Sequence, residues 1–258
     1  MPRSRQACVS PAKVVDYPRK EASITATMRQ AVGIKKSWDP IWEQIFASQS
    51  WGKYPPEELI RFVASSYYHA ANRRDIKILE VGCGAGACAW YMAREGFCAT
   101  GIDGSPSAIR QAKELLGRDQ LAAEFICGDV ANLSELVKGR KFDAIVDAAC
   151  LQCNRSAQVT DIVDQIFDVL LPGGRFFTIL VAADSHGYGL GEEVEKGTFD
   201  KITEGPLKNR GLNHFFTLEE VKGLFCKFDS IEIDFTLRSF QNRAGVYKNW
   251  VCTGVKPT

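Results

Sequence analysis

The sequence predicts an α/β fold: a doubly wound, mostly parallel seven-stranded sheet with helices on both faces, an antiparallel C-terminal strand and an N-terminal helical cap. Three observations predict it. From about residue 76, short β-branched runs alternate with amphipathic helical periods, the pattern of a parallel sheet covered on both sides. The first run ends in a glycine-rich turn, Gly82-Cys83-Gly84-Ala85-Gly86, that opens a helix. The alternation breaks near the end of the chain, where a capped helix is followed by two consecutive strands.

Taken in order, residues 1–36 read as a flexible basic arm. Arg3, Arg5, Lys13, Arg19, Lys20, Arg29, Lys35 and Lys36 face only Asp16 and Glu21, and no apolar period runs through them. Residues 37–72 read as the helical cap: Trp38, Trp42 and Ile45 stand at helical spacing, and the turn Trp51-Gly52-Lys53-Tyr54-Pro55-Pro56 leads into a helix with Leu59, Ile60, Val63 and Tyr67 on one face. Residues 73–258 form the main domain. Strands are expected over 76–81, 98–102, 124–127, 142–148, 175–182, 230–238 and 247–255. Ser105-Pro106 caps one helix. Val159, Ile162, Val163, Ile166 and Leu170 stripe another, which Pro172-Gly173-Gly174 ends. Thr217-Leu218-Glu219-Glu220 is a capping box, with Phe216 and Val221 placed as a hydrophobic staple. The stretch 184–213 carries turn residues and charges without a clear period, and reads as an irregular lid or substrate segment.

Composition narrows the function. The 258 residues are 45% hydrophobic and 24% charged, enough to bury a sizeable core, and 32 Lys+Arg against 31 Asp+Glu give a net charge of +1. So balanced a chain is expected to bind neither nucleic acid nor a membrane. No apolar run approaches the roughly 18 residues of a spanning helix. Nine cysteines, an odd number spread along the chain, fit a reducing cytoplasm. Cys150 and Cys153 form one CxxC pair without a second pair at ligand spacing, so no metal is expected.

The glycine turn carries the chemistry. Glycines there let the backbone turn sharply and approach a ligand closely, and the helix N-terminus adds unpaired N–H groups. Asp103 ends the next strand, 21 residues beyond Gly82, where a carboxylate can accept both hydroxyls of a ribose. These residues predict an adenosine-containing cofactor without saying which. Gly82-x-Gly84-x-x-Ala87 also satisfies the relaxed dinucleotide fingerprint, so an NAD-dependent oxidoreductase is the competing reading.

The string Ile78-Leu79-Glu80-Val81-Gly82-Cys83-Gly84-Ala85-Gly86 resembles the first motif of the class I S-adenosylmethionine-dependent methyltransferases, which have a Rossmann-like fold. Gly101-Ile102-Asp103-Gly104-Ser105-Pro106, Gly128-Asp129-Val130, Phe142-Asp143-Ala144-Ile145-Val146 and Leu170-Leu171-Pro172-Gly173-Gly174 resemble the later motifs in the same order. The resemblance implies S-adenosylmethionine as cofactor and S-adenosylhomocysteine as product. It implies that Gly82, Cys83, Gly84 and Gly86 carry the methionine end, that Glu80 and the Ala148 carbonyl meet its ammonium, and that Asp103, followed by Gly104, holds the ribose. Asp129 would accept from the adenine amino group, beside the Val130 N–H. The Trp51–Tyr54 turn would close over the cofactor, aromatic faces suiting a sulfonium cation. A cofactor-binding regulator without catalysis is a third reading.

Methyl transfer is an in-line displacement in which the enzyme aligns the acceptor and excludes water. A general base helps a hydroxyl acceptor, and His186, His214 and Tyr54 are the candidate catalytic residues. Gln152, Asn154, Tyr188 and Arg243 lie beyond the expected strand ends and are candidate substrate contacts. Asp147-Ala148-Ala149-Cys150 differs from the Pro-Pro motif of the exocyclic-amine methyltransferases, and Leu151–Arg155 lacks the carboxylates of the metal-dependent ones. A small polar acceptor (a metabolite, a sugar or a natural product) is therefore expected, with the protein a monomer or homodimer.

Overall fold

The structure, a computed structural model, describes residues 37–258; the expected basic arm, 1–36, lies outside the described residues. Helices α1 (Ile41–Ser48) and α2 (Glu57–Tyr67) form the cap. There follow β1 (Lys77–Val81), α3 (Ala87–Arg94), β2 (Cys98–Asp103), α4 (Pro106–Arg118), β3 (Glu124–Cys127), α5 (Leu133–Leu136), β4 (Phe142–Ala148), α6 (Ser156–Val169) and β5 (Leu170–Val181). Short strands β6 (Glu192–Glu195), β7 (Thr198–Asp200) and β8 (Asn213–His214) precede α7 (Leu218–Leu224), β9 (Asp229–Phe240) and β10 (Gly245–Val255).

The seven-stranded sheet has the order β3-β2-β1-β4-β5-β10-β9. Strands β1 to β5 pair in parallel, and β10 runs antiparallel to both β5 and β9. Adjacent residues of one strand enter opposite cores: Leu79 and Phe176 pack with Val81, Ile162 and Phe225 on one face, while Ile78 and Phe177 pack with Leu59, Phe62 and Val63 on the other. A strand buried on both faces must be apolar throughout, which explains the continuous runs in the sequence. The chain walks outward from β1 to β3 and returns to β4, so β1 and β4 flank a topological switch point. The carboxyl ends of parallel strands at such a point are where open sheets bind ligands.

The cap is fixed to the sheet layer by polar contacts at the start of α4. Glu43 accepts from the Ser107 hydroxyl (2.6 Å), the Ser107 N–H (3.1 Å) and the Ser105 hydroxyl, and these bonds hold its carboxyl below the usual range. The Ser105 hydroxyl in turn accepts from Ala108 N–H (3.0 Å), as the Ser-Pro cap predicts.

Three local expectations change. Trp38 is not helical: Asp39 Oδ1 accepts from Ile41 N–H (2.9 Å), and α1 begins only there. Strand β5 begins at Leu170, so Pro172-Gly173-Gly174 lies inside a strand, at a register shift opposite Phe142–Ala144. The segment 184–213 is not irregular throughout. Its strands, with β8, build a three-stranded antiparallel sheet over a small core of Phe199, Ile202, Leu207 and Phe215 against Val181. Strands of two to four residues are too short to display a period. Among the described residues no helix is long and apolar enough to cross a membrane.

Gly86 shows how tightly the first βα unit is packed. Its φ is +85°, and a Cβ there would lie 2.7 Å from Ala112 Cβ and 3.0 Å from Ala112 Cα. Gly86→Ala is expected to lower the unfolding free energy by about 2–4 kcal/mol in urea titration, combining left-handed strain with overpacking.

Candidate functional site

The site begins with backbone geometry. Gly82 and Gly84 have φ of +64° and +49°; a Cβ on the first would collide with the Cys150 side chain, and one on the second would press on Phe46 at 3.2 Å. Cys83 N–H donates to Ile102 O (2.8 Å), which ties the turn to the end of β2. Asp103 completes the tie: Oδ2 accepts from Gly84 N–H (2.8 Å) and Oδ1 from Ser105 N–H (2.8 Å). Each oxygen keeps an acceptor position. Burial raises the Asp103 carboxyl above its usual range.

Two more carboxyls stand beneath. Glu80 on β1 accepts from Ala89 N–H (3.2 Å), and burial pushes it up to about 8. Asp147 on β4 accepts from Cys150 N–H (2.8 Å), Leu151 N–H (3.2 Å) and the Thr178 hydroxyl; burial pushes it up to about 6. No cation pairs with either among the described residues, so the carboxyl end of the sheet holds latent negative charge. That arrangement suits a cationic ligand group.

Above this floor lies a cavity of about 950 Å³. It brings together Glu80, Gly82, Cys83, Gly84, Asp103, Gly104, Val130 and Ala148 from the sheet rim, Trp51 and Tyr54 from the cap turn, and Gln152 and Asn154 beyond β4. Tyr54 is 77% exposed and meets Trp90 edge-on at 5.8 Å, so it forms part of the mouth. Gln152 is buried: Oε1 accepts from Val181 N–H (2.8 Å) and Nε2 donates to Asn213 Oδ1 (3.1 Å). Its side chain also bonds the Tyr247 hydroxyl, which burial pushes up to about 12, so Tyr247 is a neutral phenol at physiological pH.

Several expected residues stand elsewhere. Gly86 is the N-cap of α3 and faces Ala112 rather than the cavity. His214 is 2% exposed within the small sheet, its Nδ1 2.6 Å from Thr198 Oγ1 and its ring edge-on to Phe216; burial lowers its pKa. His186 lines a separate, smaller cavity with Glu204 and Phe240. Tyr188 packs against Phe199 and Phe215. Arg243 sits in the exposed β9–β10 turn at φ +70°. None of these five lines the large cavity, which corrects the expectation of Gly86 as a cofactor contact, of a histidine base there and of Tyr188 and Arg243 as substrate contacts.

Asp129 is also engaged differently from its expected use. Oδ2 accepts from Ser37 N–H (2.7 Å) and Trp38 N–H (3.0 Å), and Oδ1 from the Ser37 hydroxyl (2.7 Å) and Ala131 N–H (3.0 Å). These bonds hold its carboxyl below the usual range against the opposing effect of burial. The Trp38 indole lies directly on Gly104, where a Cβ would strike the ring. Sequence reasoning did not reach Ser37, Asp39, Arg210, Asn213, Arg238, Tyr247 and Asn249, which also line the cavity. For Tyr247 and Asn249 the signal was present in part. A final strand inserted antiparallel beside β5 necessarily brings its first residues to the carboxyl rim.

The family model described as "Methyltransferase domain" matches residues 78–174. A ubiquinone biosynthesis O-methyltransferase of Coxiella burnetii is 29% identical over 135 residues, covering 50% of this chain and 56% of that protein. Ribosomal RNA small subunit methyltransferase C of Alcanivorax borkumensis is 32% identical over 107 residues, covering 40% and 31%. Among solved structures, a SAM-dependent methyltransferase from Methanosarcina mazei aligns with a TM-score of 0.57 at 26% identity, covering 70% of this chain and 92% of that one. The chain spans about half the length, or less, of these curated relatives.

The raised Glu80 carboxyl makes a stability prediction. The folded chain holds a proton that the unfolded chain, at 4.5, releases, so this contribution is complete below pH 4.5 and is lost as pH rises through about 8. Glu80→Gln keeps the acceptor for Ala89 and removes the ionisation. Its stability relative to wild type is therefore expected to rise across that window, reaching roughly 3–5 kcal/mol at its upper end, as chemical denaturation at pH 4, 6 and 8.5 measures.

Proposed function

Because residues 78–174 form a class I S-adenosylmethionine-dependent methyltransferase domain, we propose that this chain transfers a methyl group from S-adenosylmethionine to an O or N atom of a small polar molecule held under its N-terminal cap. One observation carries the reading: the glycine turn, Asp103 and the cap aromatics enclose one cavity at the carboxyl rim of the sheet, at the switch point between β1 and β4. A ribosomal RNA methyltransferase is among the relatives; the small-molecule reading is supported by the cavity's volume of about 950 Å³ and by residues of the cap and of the 206–213 segment that line it. Cytoplasmic placement belongs to the same reading.

The residues fit the cofactor. Gly82 and Gly84 leave the space that a Cβ would fill, Asp103 keeps an acceptor on each oxygen for the ribose hydroxyls, and Glu80 with the Ala148 carbonyl offers negative potential to an ammonium. The cofactor supplies an activated methyl on a sulfonium. The chain's own residues then position the acceptor and exclude water. Among the described residues His69, His186 and His214 all stand outside the large cavity, so no imidazole serves as base there. Tyr247, Gln152 and Asn213 form a neutral, mutually bonded set that can orient the acceptor through hydrogen bonds. Such a site suits an amine, or a hydroxyl acidic enough to ionise without help.

The adenine end involves the cap. Asp129 has its oxygens taken by Ser37 and Trp38, so an adenine amino group reaches it only when this strap moves aside.

Calorimetric titration tests the reading. S-adenosylhomocysteine should bind and NAD should not; Asp103→Asn should weaken binding by about 10–100-fold. Near pH 7 Glu80 is protonated in the free chain and ionised beside an ammonium, so binding should release protons, making the measured heat depend on the buffer's ionisation enthalpy. Failure of S-adenosylhomocysteine to bind overturns the proposal. A Ser37→Ala/Trp38→Ala variant should bind S-adenosylhomocysteine several-fold more tightly by the same measurement, whereas weaker binding would mean that the strap covers the bound adenine.

A further inference from the structure

The large cavity contains a cation that nothing in the described structure neutralises. Arg210 leaves the small β6–β8 segment just before Gly211 and lines the cavity. Its guanidinium stacks over the Trp51 ring at 4.6 Å. Its Nη1 is buried without any hydrogen-bond partner, the one such side-chain atom among the described residues. No carboxylate among them lies within ion-pair distance of it. Asp39, beside Gly211, accepts from Ile41 N–H, and Glu80 and Asp103 belong to the glycine turn.

Arg210 is itself only half-buried, but a buried guanidinium N–H without an acceptor is costly unless an anion completes it. The contact with Trp51 holds the guanidinium in place, and its planar fork matches the two oxygens of a carboxylate or the edge of a phosphate. Around it the wall is apolar: Trp42 meets Trp51 edge-on at 6.3 Å, and Leu207 and Leu237 line the same space. Arg238, exposed on β9 near the Tyr247 hydroxyl, adds a second positive charge at the rim.

We infer that the acceptor is a small aromatic acid whose carboxylate or phosphate docks on Arg210 while its ring lies against the Trp51 wall. The inference rests on the methyltransferase reading, since it takes the remaining half of the cavity as cofactor space. It adds that substrate selection is electrostatic and that a neutral analogue of the same shape is rejected.

The test uses the full chain saturated with S-adenosylhomocysteine, whose own titration is recorded first. Benzoate, phenyl phosphate and neutral benzamide are then titrated calorimetrically as probes. At least one anion is expected to bind about tenfold or more tightly than benzamide. Arg210→Gln should abolish that preference, and Arg210→Lys, which keeps the charge but loses the fork, should retain part of it. The better anion distinguishes a carboxylic from a phosphorylated acceptor. Equal binding of all three probes, or a preference that survives Arg210→Gln, overturns the inference. Should Arg210→Gln fail to fold, the wild-type comparison together with Arg210→Lys decides it. If S-adenosylhomocysteine itself does not bind, the methyltransferase reading falls and this inference with it; if it binds and no anion preference exists, only this inference falls.

Discussion

The two hydrogen bonds to the Asp103 carboxylate, from Gly84 N–H and Ser105 N–H, organise the rim of the sheet. One oxygen fixes the glycine turn after β1, and the other fixes the first turn of α4 after β2. The spacing between two neighbouring βα units is thus set by one side chain. Around that pair the remaining contacts follow: Ser105 caps α4, Glu43 reaches Ser105 and Ser107 from the cap, and Phe46 closes over Gly84. A carboxylate satisfied on one side and open on the other is rigid before a ligand arrives, so little ordering remains to be done on binding.

The same rim concentrates carboxyl groups that the fold alone does not require. Glu80, Asp103 and Asp147 lie at the ends of three adjacent strands, all raised by burial and, among the described residues, without a cation beside them. Replacing such groups with apolar ones would normally stabilise a core. Their presence is intelligible where a positively charged ligand offsets the desolvation. Arg210 and Arg238 line the same cavity, together with Asp39 and Glu58. The cavity therefore presents groups of both signs to a ligand.

Much of this was legible in the sequence because it depends on local rules. Both-face burial made the strands of the main sheet continuous apolar runs, the glycines marked the turn that a Cβ would block, and Ser105-Pro106 and Thr217-Glu220 announced their helices. What could not be read depends on tertiary placement. His186 and His214 flank the segment next to the site in sequence, but β8 draws His214 into a small sheet and against Thr198, and the His186 side chain faces a second cavity. Conversely, nothing in Lys208-Asn209-Arg210-Gly211 distinguishes the arginine that stacks on Trp51 from an ordinary surface charge. Trp38 is equally opaque, because its spacing fits a helix that Asp39 and Pro40 in fact start three residues later.

The antiparallel insertion of β10 extends the rim of the parallel strands into a further wall of the cavity. In the parallel strands only the last residue or two reach the rim, and those are committed to the glycine turn and its neighbours. Strand β10 runs the other way, so Tyr247 and Asn249, early in its sequence, arrive at the same edge, with Thr236 to Arg238 beside them on β9. Gln152, buried after β4, reaches across to Tyr247 and Asn213 and binds the β10 side to the β8 side. Side chains from the final hairpin therefore reach the cavity without touching the bonds to Asp103. A division of that kind lets one set of strands keep the cofactor geometry constant while another sets specificity.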